Sequence, residues 1–308
     1  MALKNLKIFI AGHNGMVGSA IHNELIRKNF KKIITITKKN LNLLDQKKTF
    51  NFIFKNKPDV VIIAAAKVGG IVNNNINRAQ FIYENTTIQN NLIHGSYLAK
   101  VKKVIFLGSS CIYPKFCKQP MKEEYLLDGK LEPTNEPYAI AKIHGLKMCE
   151  NYNRQYKTNY ISIMPSSLYG PNDNYDLKNS HVIPALLRKM HEAKIKNKKF
   201  VKVWGSGNPK REFLHVKDLA EFVIKIIDIN PKKKLINVGY GKEISIKDLS
   251  YMIKKISGFK GKIFFDKTNP DGVMRKLLNS GYAKSVGFKV KIKLNAGLKQ
   301  TYESEFLN

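Results

Sequence analysis

In the stretch Glu136-Pro137-Tyr138-Ala139-Ile140-Ala141-Lys142 a phenol and an ammonium stand four residues apart. Pro137 suits the first turn of a helix, where its missing N–H would be an orphan in any case. On that helix Tyr138 and Lys142 share one face. A tyrosine ordinarily titrates at about pH 10, and a neighbouring cation favours its phenolate, so the pair predicts a phenol tuned toward neutrality. Taken alone, an amphipathic helix would give the same spacing. Other stretches give it meaning. Leu107-Gly108-Ser109-Ser110-Cys111-Ile112-Tyr113-Pro114 puts hydroxyls and a thiol at the end of an apolar run, where parallel α/β sheets hold their ligands. Gly12-His13-Asn14-Gly15-Met16-Val17-Gly18 follows the run Lys7-Ile8-Phe9-Ile10-Ala11 and precedes a helical pattern through Ile21, Leu25 and Ile26. Strand, glycine turn and helix in that order predict a dinucleotide site. Gly12 allows the tight turn, Gly15 lets the backbone approach a pyrophosphate, and Gly18 permits close helix–strand packing. The helix N-terminus supplies N–H groups for the phosphates.

The elements that must position these groups follow from apolar periodicity. Strands are predicted over 7–11, 33–37, 60–66, 103–107, 160–164 and 201–204. Helices are predicted over 79–99, 181–196, 216–227, 246–256 and 295–305, besides the one that starts at Pro137. Alternation of this kind gives an α/β fold with a Rossmann-type, doubly wound parallel sheet. Residues 1–164 should form the NADP-binding domain, with part of 212–240 returning to it. Residues 165–308 should form a smaller C-terminal α/β lobe for the substrate. At the end of the second strand stand Thr37, Lys38 and Lys39 rather than an acid. An NAD site would hold the ribose 2′-hydroxyl with Asp or Glu there, so cations point to the extra phosphate of NADP.

The chain of 308 residues carries a formal charge of +31, with Lys+Arg 54 against Asp+Glu 23. The lysines are spread from end to end, and no basic block is longer than Lys196-Asn197-Lys198-Lys199. No aromatic-basic module of an RNA binder is present, so the expected partner is a small anionic ligand, not a nucleic acid. The three cysteines, Cys111, Cys117 and Cys149, form neither a C-x-x-C pair nor a disulfide framework. No apolar run reaches the length of a membrane span, and the N-terminus enters a strand within a few residues. A cytoplasmic protein without membrane attachment or metal is the expectation.

Together, Ser109, Tyr138-x-x-x-Lys142 and the glycine turn resemble the extended short-chain dehydrogenase/reductase superfamily. Five further stretches are similar to the GDP-L-fucose synthase family: 64–70 (Ala-Ala-Ala-Lys-Val-Gly-Gly), 107–114, 132–142, 179–186 and 203–207 (Val-Trp-Gly-Ser-Gly). That family converts GDP-4-keto-6-deoxy-D-mannose to GDP-L-fucose, epimerising C3 and C5 and reducing C4. The resemblance implies Cys111 and His181 as the base and acid of epimerisation. It makes Ser109 and Tyr138 donors to the C4 oxygen, and Lys142 the residue that depresses the Tyr138 pKa and holds the nicotinamide ribose. It implies NADP(H) bound by Gly12, His13, Asn14, Gly15, Met16, Val17, Gly18, Lys38, Leu107, Gly108, Ser109, Ser110, Lys142, Pro165, Ser166, Ser167, Leu168 and His181. The GDP-sugar would meet Lys189, Trp204, Arg211, Asp271, Arg275 and Lys276, and the family's habit is a homodimer. Asn14 and Lys38 stand where relatives carry arginine, which predicts a milder NADPH preference. Lys189 likewise replaces an arginine, and Ser166-Ser167 replaces a Thr-Asn pair. Two alternatives stay open: a C4-reductase or epimerase for another GDP-4-keto-6-deoxy sugar, such as a heptose, and a non-catalytic NADP- or nucleic-acid-binding protein.

Overall fold

Val60-Val61-Ile62-Ile63 has no polar position to turn outward, so it can only be a strand covered on both faces, and all four residues are buried. It lies in a sheet whose strands alternate with helices along the chain. This computed structural model describes residues 3–177, 179–268 and 271–307. The first part of the chain comprises β1 (Lys7–Ala11), α1 (Met16–Arg27), β2 (Lys32–Thr35), α2 (Gln46–Asn56), β3 (Val60–Ile63), α3 (Ile71–Ile76), α4 (Arg78–Leu98), β4 (Lys103–Leu107), α5 (Glu136–Tyr156) and β5 (Tyr160–Pro165). There follow β6 (Ser167–Tyr169), α6 (Val182–Ile195), β7 (Phe200–Trp204), β8 (Lys210–His215), α7 (Val216–Asp228) and β9 (Leu235–Val238). The last are β10 (Glu243–Ser245), α8 (Ile246–Ser257), β11 (Lys262–Asp266), β12 (Arg275–Lys276), α9 (Gly281–Ser285) and α10 (Leu294–Phe306).

Six strands in the order β2-β1-β3-β4-β5-β9 form one parallel sheet. The winding reverses between β1 and β3, the switch point beyond whose carboxyl ends such sheets hold ligands. Successive side chains of a strand go to opposite faces. Ile8 and Ile10 therefore meet Ile21, Leu25, Leu219 and Val223 of α1 and α7. Phe9 and Ala11 join Ile53, Leu92 and Leu146 of α2, α4 and α5. The doubly wound sheet expected from the sequence is the one that forms.

β9 lies far along the chain yet pairs with β5, and α7 packs on α1. Lys103 of β4 fixes this return. Its buried ammonium donates to the carbonyls of Ile226, Ile227 and Ile229 at 2.9, 2.7 and 2.8 Å, which end α7 without intrahelical partners. The other elements build a smaller lobe. There β10, β8 and β12 pair in that order with β6 beside β8, and β7 pairs with β11. Its core gathers Leu187, Met190, Leu249, Ile253 and Leu298 from α6, α8 and α10. β3 ends at Ile63 and not at Ala66, because Ala64 and Ala65 turn beneath Gly12. Among the described residues no helix is long and apolar enough to cross a membrane, and no group of three or more His, Cys, Asp or Glu could hold a metal ion.

Candidate active site

The glycine turn lies at the carboxyl end of β1. Gly12 has φ +89°, and a Cβ there would sit 2.6 Å from Ala65 N. A Cβ at Gly18 would fall onto the Gly12 carbonyl, 2.7 Å from its carbon. Gly15 differs: the nearest atom to a Cβ is the Gly12 oxygen at 3.7 Å, and beyond lies open space. Gly15 caps α1 without a side chain, so the first N–H groups of α1 face that space, a ready anion site. Lys38 and Lys39 are exposed, and among the described residues neither has an ion-pair partner. Ser166, just past β5, holds a buried hydroxyl that has no partner among the described residues. These features fit a dinucleotide with an additional phosphate.

Two residues beyond β4 stands Ser109, whose Oγ accepts from the Cys111 N–H at 3.3 Å and starts the short turn Ser110–Ile112. That turn buries Cys111, which is 6% exposed. α5 starts with Pro137 in its first turn and brings Tyr138 and Lys142 to the same edge of the sheet. The Lys142 ammonium donates to the Leu107 carbonyl at 2.8 Å and lies 5.0 Å from the Phe106 ring centroid and 5.6 Å from that of Tyr138. Burial lowers its pKa to about 8. Burial also raises the Tyr138 phenol well above its usual range, and the nearby Cys111 adds to this. The expectation that Lys142 draws Tyr138 toward neutrality is therefore not met. The ammonium rests over the ring face and on a carbonyl, and taking either group out of water penalises its charged form.

The smaller lobe approaches the same edge. Gly70 N–H donates to the Asn179 carbonyl at 3.0 Å, which ties the loop after β3 to the start of α6. His181 caps α6 there. The residue is exposed at the helix start, while burial of its imidazole among the surrounding protein holds its pKa below the usual value. Among the described residues no hydrogen bond or ring contact joins His181 to Cys111 or Tyr138. In β12, Lys276 is in register with Arg211 of β8, and Arg275 with Lys210. The strand alternation places Lys276 and Arg211 on one face and Arg275 and Lys210 on the other. Arg275 and Lys210 pair with Glu243 at 2.7 and 3.9 Å, and Arg275 also borders the cavity that Cys111 and Lys276 line. Burial lowers the Arg211 pKa to about 10, with Asp271 and Glu132 opposing. Asp271 spends both oxygens on Ser206, taking its N–H at 2.6 Å and its hydroxyl at 2.7 Å. It thereby holds the turn at Gly205, where φ is +83°. The Lys189 ammonium lies 5.2 Å over the ring of the half-exposed Trp204.

Glu132 is a residue the sequence reading quoted without assigning. It is buried, with Oε2 3.0 Å from Lys115 Nζ, and it lines one cavity with Cys111 and Lys276. The only signal was an acid kept inside a motif of a strongly basic chain. Glu212 gave no signal at all. It is buried on β8 and accepts the N–H groups of Leu278 and Gly241, and so carries β12 and the loop after β9.

Residues 8–239 match the model of the NAD dependent epimerase/dehydratase family. The chain is 50% identical over 306 residues to the GDP-L-fucose synthase of Escherichia coli, covering 96% of this chain and 95% of that protein. It is 52% identical over 303 residues to the putative GDP-L-fucose synthase 2 of Arabidopsis thaliana, covering 98% and 92%. Among solved structures, it is similar to the GDP-mannoheptose C4 reductase of Campylobacter jejuni with NADP bound. The TM-score is 0.89 at 40% identity, over 98% of both chains.

Proposed function

The chain belongs to the NAD dependent epimerase/dehydratase family, and from that premise we propose that it works as a GDP-L-fucose synthase. Its substrate is then GDP-4-keto-6-deoxy-D-mannose, epimerised at C3 and C5 and reduced at C4. NADPH, when bound along the Gly12–Gly18 turn, supplies the hydride for C4. The observation that carries the reading is the meeting of Ser109, Cys111, Tyr138 and Lys142 at the sheet's carboxyl edge, in a chain half-identical to enzymes of that name.

Protons beside a ketone leave as the carbonyl oxygen gains charge. Donors aimed at that oxygen stabilise the enolate and later the alkoxide. Ser109 and Tyr138 fill this role, and Tyr138 then hands its proton to the C4 oxygen. The high pKa of its phenol keeps that proton in place until the alkoxide, a stronger base, forms. Cys111 removes the C3 and C5 protons as a thiolate, and His181 returns protons from the other lobe. Burial lowers the imidazole's pKa, which favours its neutral form, so it must take up a proton before each delivery. Lys142, on the Leu107 carbonyl, is placed to hold the nicotinamide ribose. Arg211 and Lys276 offer adjacent cations to the nucleotide sugar, while Lys189 and Trp204 offer a cation and an open ring. Residues 1–164 with α7 and β9 bind the cofactor, and the lobe from 165 onward binds the sugar nucleotide. We take the working unit to be a cytoplasmic homodimer, as in the family; light scattering at twice 35.1 kDa is expected.

The test is incubation with GDP-4-keto-6-deoxy-D-mannose and NADPH in D₂O, with the product identified by NMR. GDP-L-fucose deuterated at C3 and C5 is expected. A second reading, reduction of a GDP-heptose, is favoured by the likeness to the Campylobacter jejuni reductase. Turnover of a GDP-4-keto-heptose with none of the deoxyhexose would establish it instead.

A further inference from the structure

The smaller lobe turns aromatic rings to solvent along one short ribbon. β7 and β11 pair in parallel, with Phe200 opposite Lys262, Lys202 opposite Phe264 and Trp204 opposite Asp266. Successive side chains of a strand go to opposite faces. Val201 and Val203 lie in the lobe's core, and Ile263 and Phe265 pack against it. Phe200, Lys202 and Trp204 therefore share the outer face with Lys262 and Phe264. The exposed fractions of Phe200, Trp204 and Phe264 are 48%, 52% and 52%. The two phenylalanine rings meet across the strands at 5.3 Å and 84°. Their neighbours in sequence are anchored in the core, so these rings cannot turn inward.

At the Phe200 end the charge has one sign. Residues 193–209 and 252–265 contain no Asp or Glu. Lys199, Lys202, Lys260 and Lys262 are exposed, and among the described residues none has an ion-pair partner. Glu192, the nearest acid before β7 in sequence, is taken by Arg188 at 2.7 Å. Asp266 stands at the other end of the ribbon and accepts the Thr268 hydroxyl at 2.6 Å. Gly261 lets the two basic segments meet. A Cβ there would lie 2.6 Å from the Lys199 carbonyl oxygen, to which the Lys262 N–H donates at 2.8 Å. Along the sequence these lysines look evenly spread, and the pairing of β7 with β11 is what concentrates them.

An apolar patch rimmed by charge marks a protein or membrane contact. Five residues of strand span about 17 Å, so two strands offer a face of roughly 300 Å². A stable protein interface takes about 800 Å² from each partner. Single-stranded nucleic acid stacks successive bases on aromatic faces, whereas Phe200 and Phe264 stand nearly perpendicular and offer no parallel pair. A lipid surface needs only rings to enter the interface and lysines to meet anionic headgroups. We infer that the outer face of β7 and β11 docks on an anionic lipid bilayer. Phe200 and Phe264 enter the headgroup region, and Lys199, Lys202, Lys260 and Lys262 meet the phosphates. The contact is peripheral and reversible, and it does not depend on which sugar nucleotide is turned over.

Trp204 is the chain's single tryptophan and ends β7 on the same face, so it reports docking in the parent protein. Vesicles of phosphatidylcholine and phosphatidylglycerol in equal parts should shift its emission to the blue and carry the protein in flotation. Brominated acyl chains should quench it. Vesicles of phosphatidylcholine alone should do none of this, and salt at about 1 M, where the Debye length is about 3 Å, should release the protein. No emission shift and no flotation with the anionic vesicles overturns the inference. Phe200→Ser and Phe264→Ser should each lower partition by about fivefold, as half of a phenylalanine side chain returns to water. Lys202→Gln with Lys262→Gln should lower it by about 25-fold, at about fivefold per lysine. Tm and NADPH affinity should hold in all of these. Lys31→Gln with Lys32→Gln removes the same charge from exposed positions at the start of β2 and should change partition less than about twofold. An equal loss in that control overturns the assignment to this face. A labelled single-stranded oligonucleotide or acidic peptide bound by the parent, lost in both Phe variants and preferred over vesicles would overturn the lipid surface as the partner.

Discussion

Gly15 and Gly18 sit in one motif, yet each is glycine for its own reason, and alanine at each position separates the two. A Cβ at Gly18 would lie 2.7 Å from the Gly12 carbonyl carbon and 2.8 Å from His13 Cα, both backbone atoms. The Gly12 carbonyl oxygen lies nearer still, and non-bonded heavy atoms rest at about 3.5 Å, so α1 must retreat by roughly 1 Å or more. Overpacking of this kind costs about 1–3 kcal/mol, and alanine returns about 1 kcal/mol in a helix interior. Gly18→Ala should therefore destabilise the protein by up to about 2 kcal/mol, a fall of up to roughly 6 °C in Tm. At Gly15 the nearest atom is 3.7 Å away, and φ −78° suits any residue. Losing glycine at the helix cap costs about 0.5–1 kcal/mol, and the stiffer unfolded chain returns about 0.4–1 kcal/mol. Tm should stay within about 2 °C of the parent. The new methyl projects into the space that a pyrophosphate needs, so the Kd for NADPH should rise by about 10–100-fold, or about 1.4–2.7 kcal/mol. Thermal unfolding without ligand and fluorescence titration with NADPH measure the two effects. Normal NADPH affinity in Gly15→Ala would refute the placement of the phosphates, and equal Tm losses in both variants would refute the packing argument.

Lys142, with a pKa of about 8, loses its charge as pH rises through that value, so C4 reduction should decline on an alkaline limb near pH 8. In Lys142→Arg the charge cannot titrate in this range; a limb that stayed at the same pH in kcat/KM would assign it to another group. Tyr138→Phe keeps the ring and removes the donated proton, and NADPH oxidation should slow by roughly 10²–10⁴-fold; near-parent rates would dismiss Tyr138 as the acid. Lys103→Met strands three carbonyls at the end of α7, and urea unfolding should show a loss of about 3 kcal/mol or more; a loss below about 1 kcal/mol would mean that water replaces the ammonium. Asp271→Ala releases Ser206, so the KM for the sugar nucleotide should rise while NADPH affinity holds; a parallel loss of NADPH affinity would point to wider damage.

The sheet and its glycine turn were legible in the residues because their causes are local. β-branched runs such as Val60–Ile63 and the glycine spacing 12, 15, 18 act within a few positions of themselves, as does the Tyr138–Lys142 interval. Boundaries drifted where tertiary contact intervened, as at Ala64 and Ala65 beneath Gly12. The site's electrostatics were not local. Sequence placed a cation beside Tyr138, but the depth at which α5 packs decided that both groups are pushed toward their neutral forms. Arg275 and Lys276 look equivalent as neighbours in a basic chain. A two-residue strand has too little pattern to be seen, yet its register on β8 sets Lys276 beside Arg211 and gives Arg275 to Glu243. That register is set by partners far away in sequence, namely Gln119, Met121 and Glu212. Burial and register depend on which distant segments meet, and a linear pattern carries only the residues that each segment can offer.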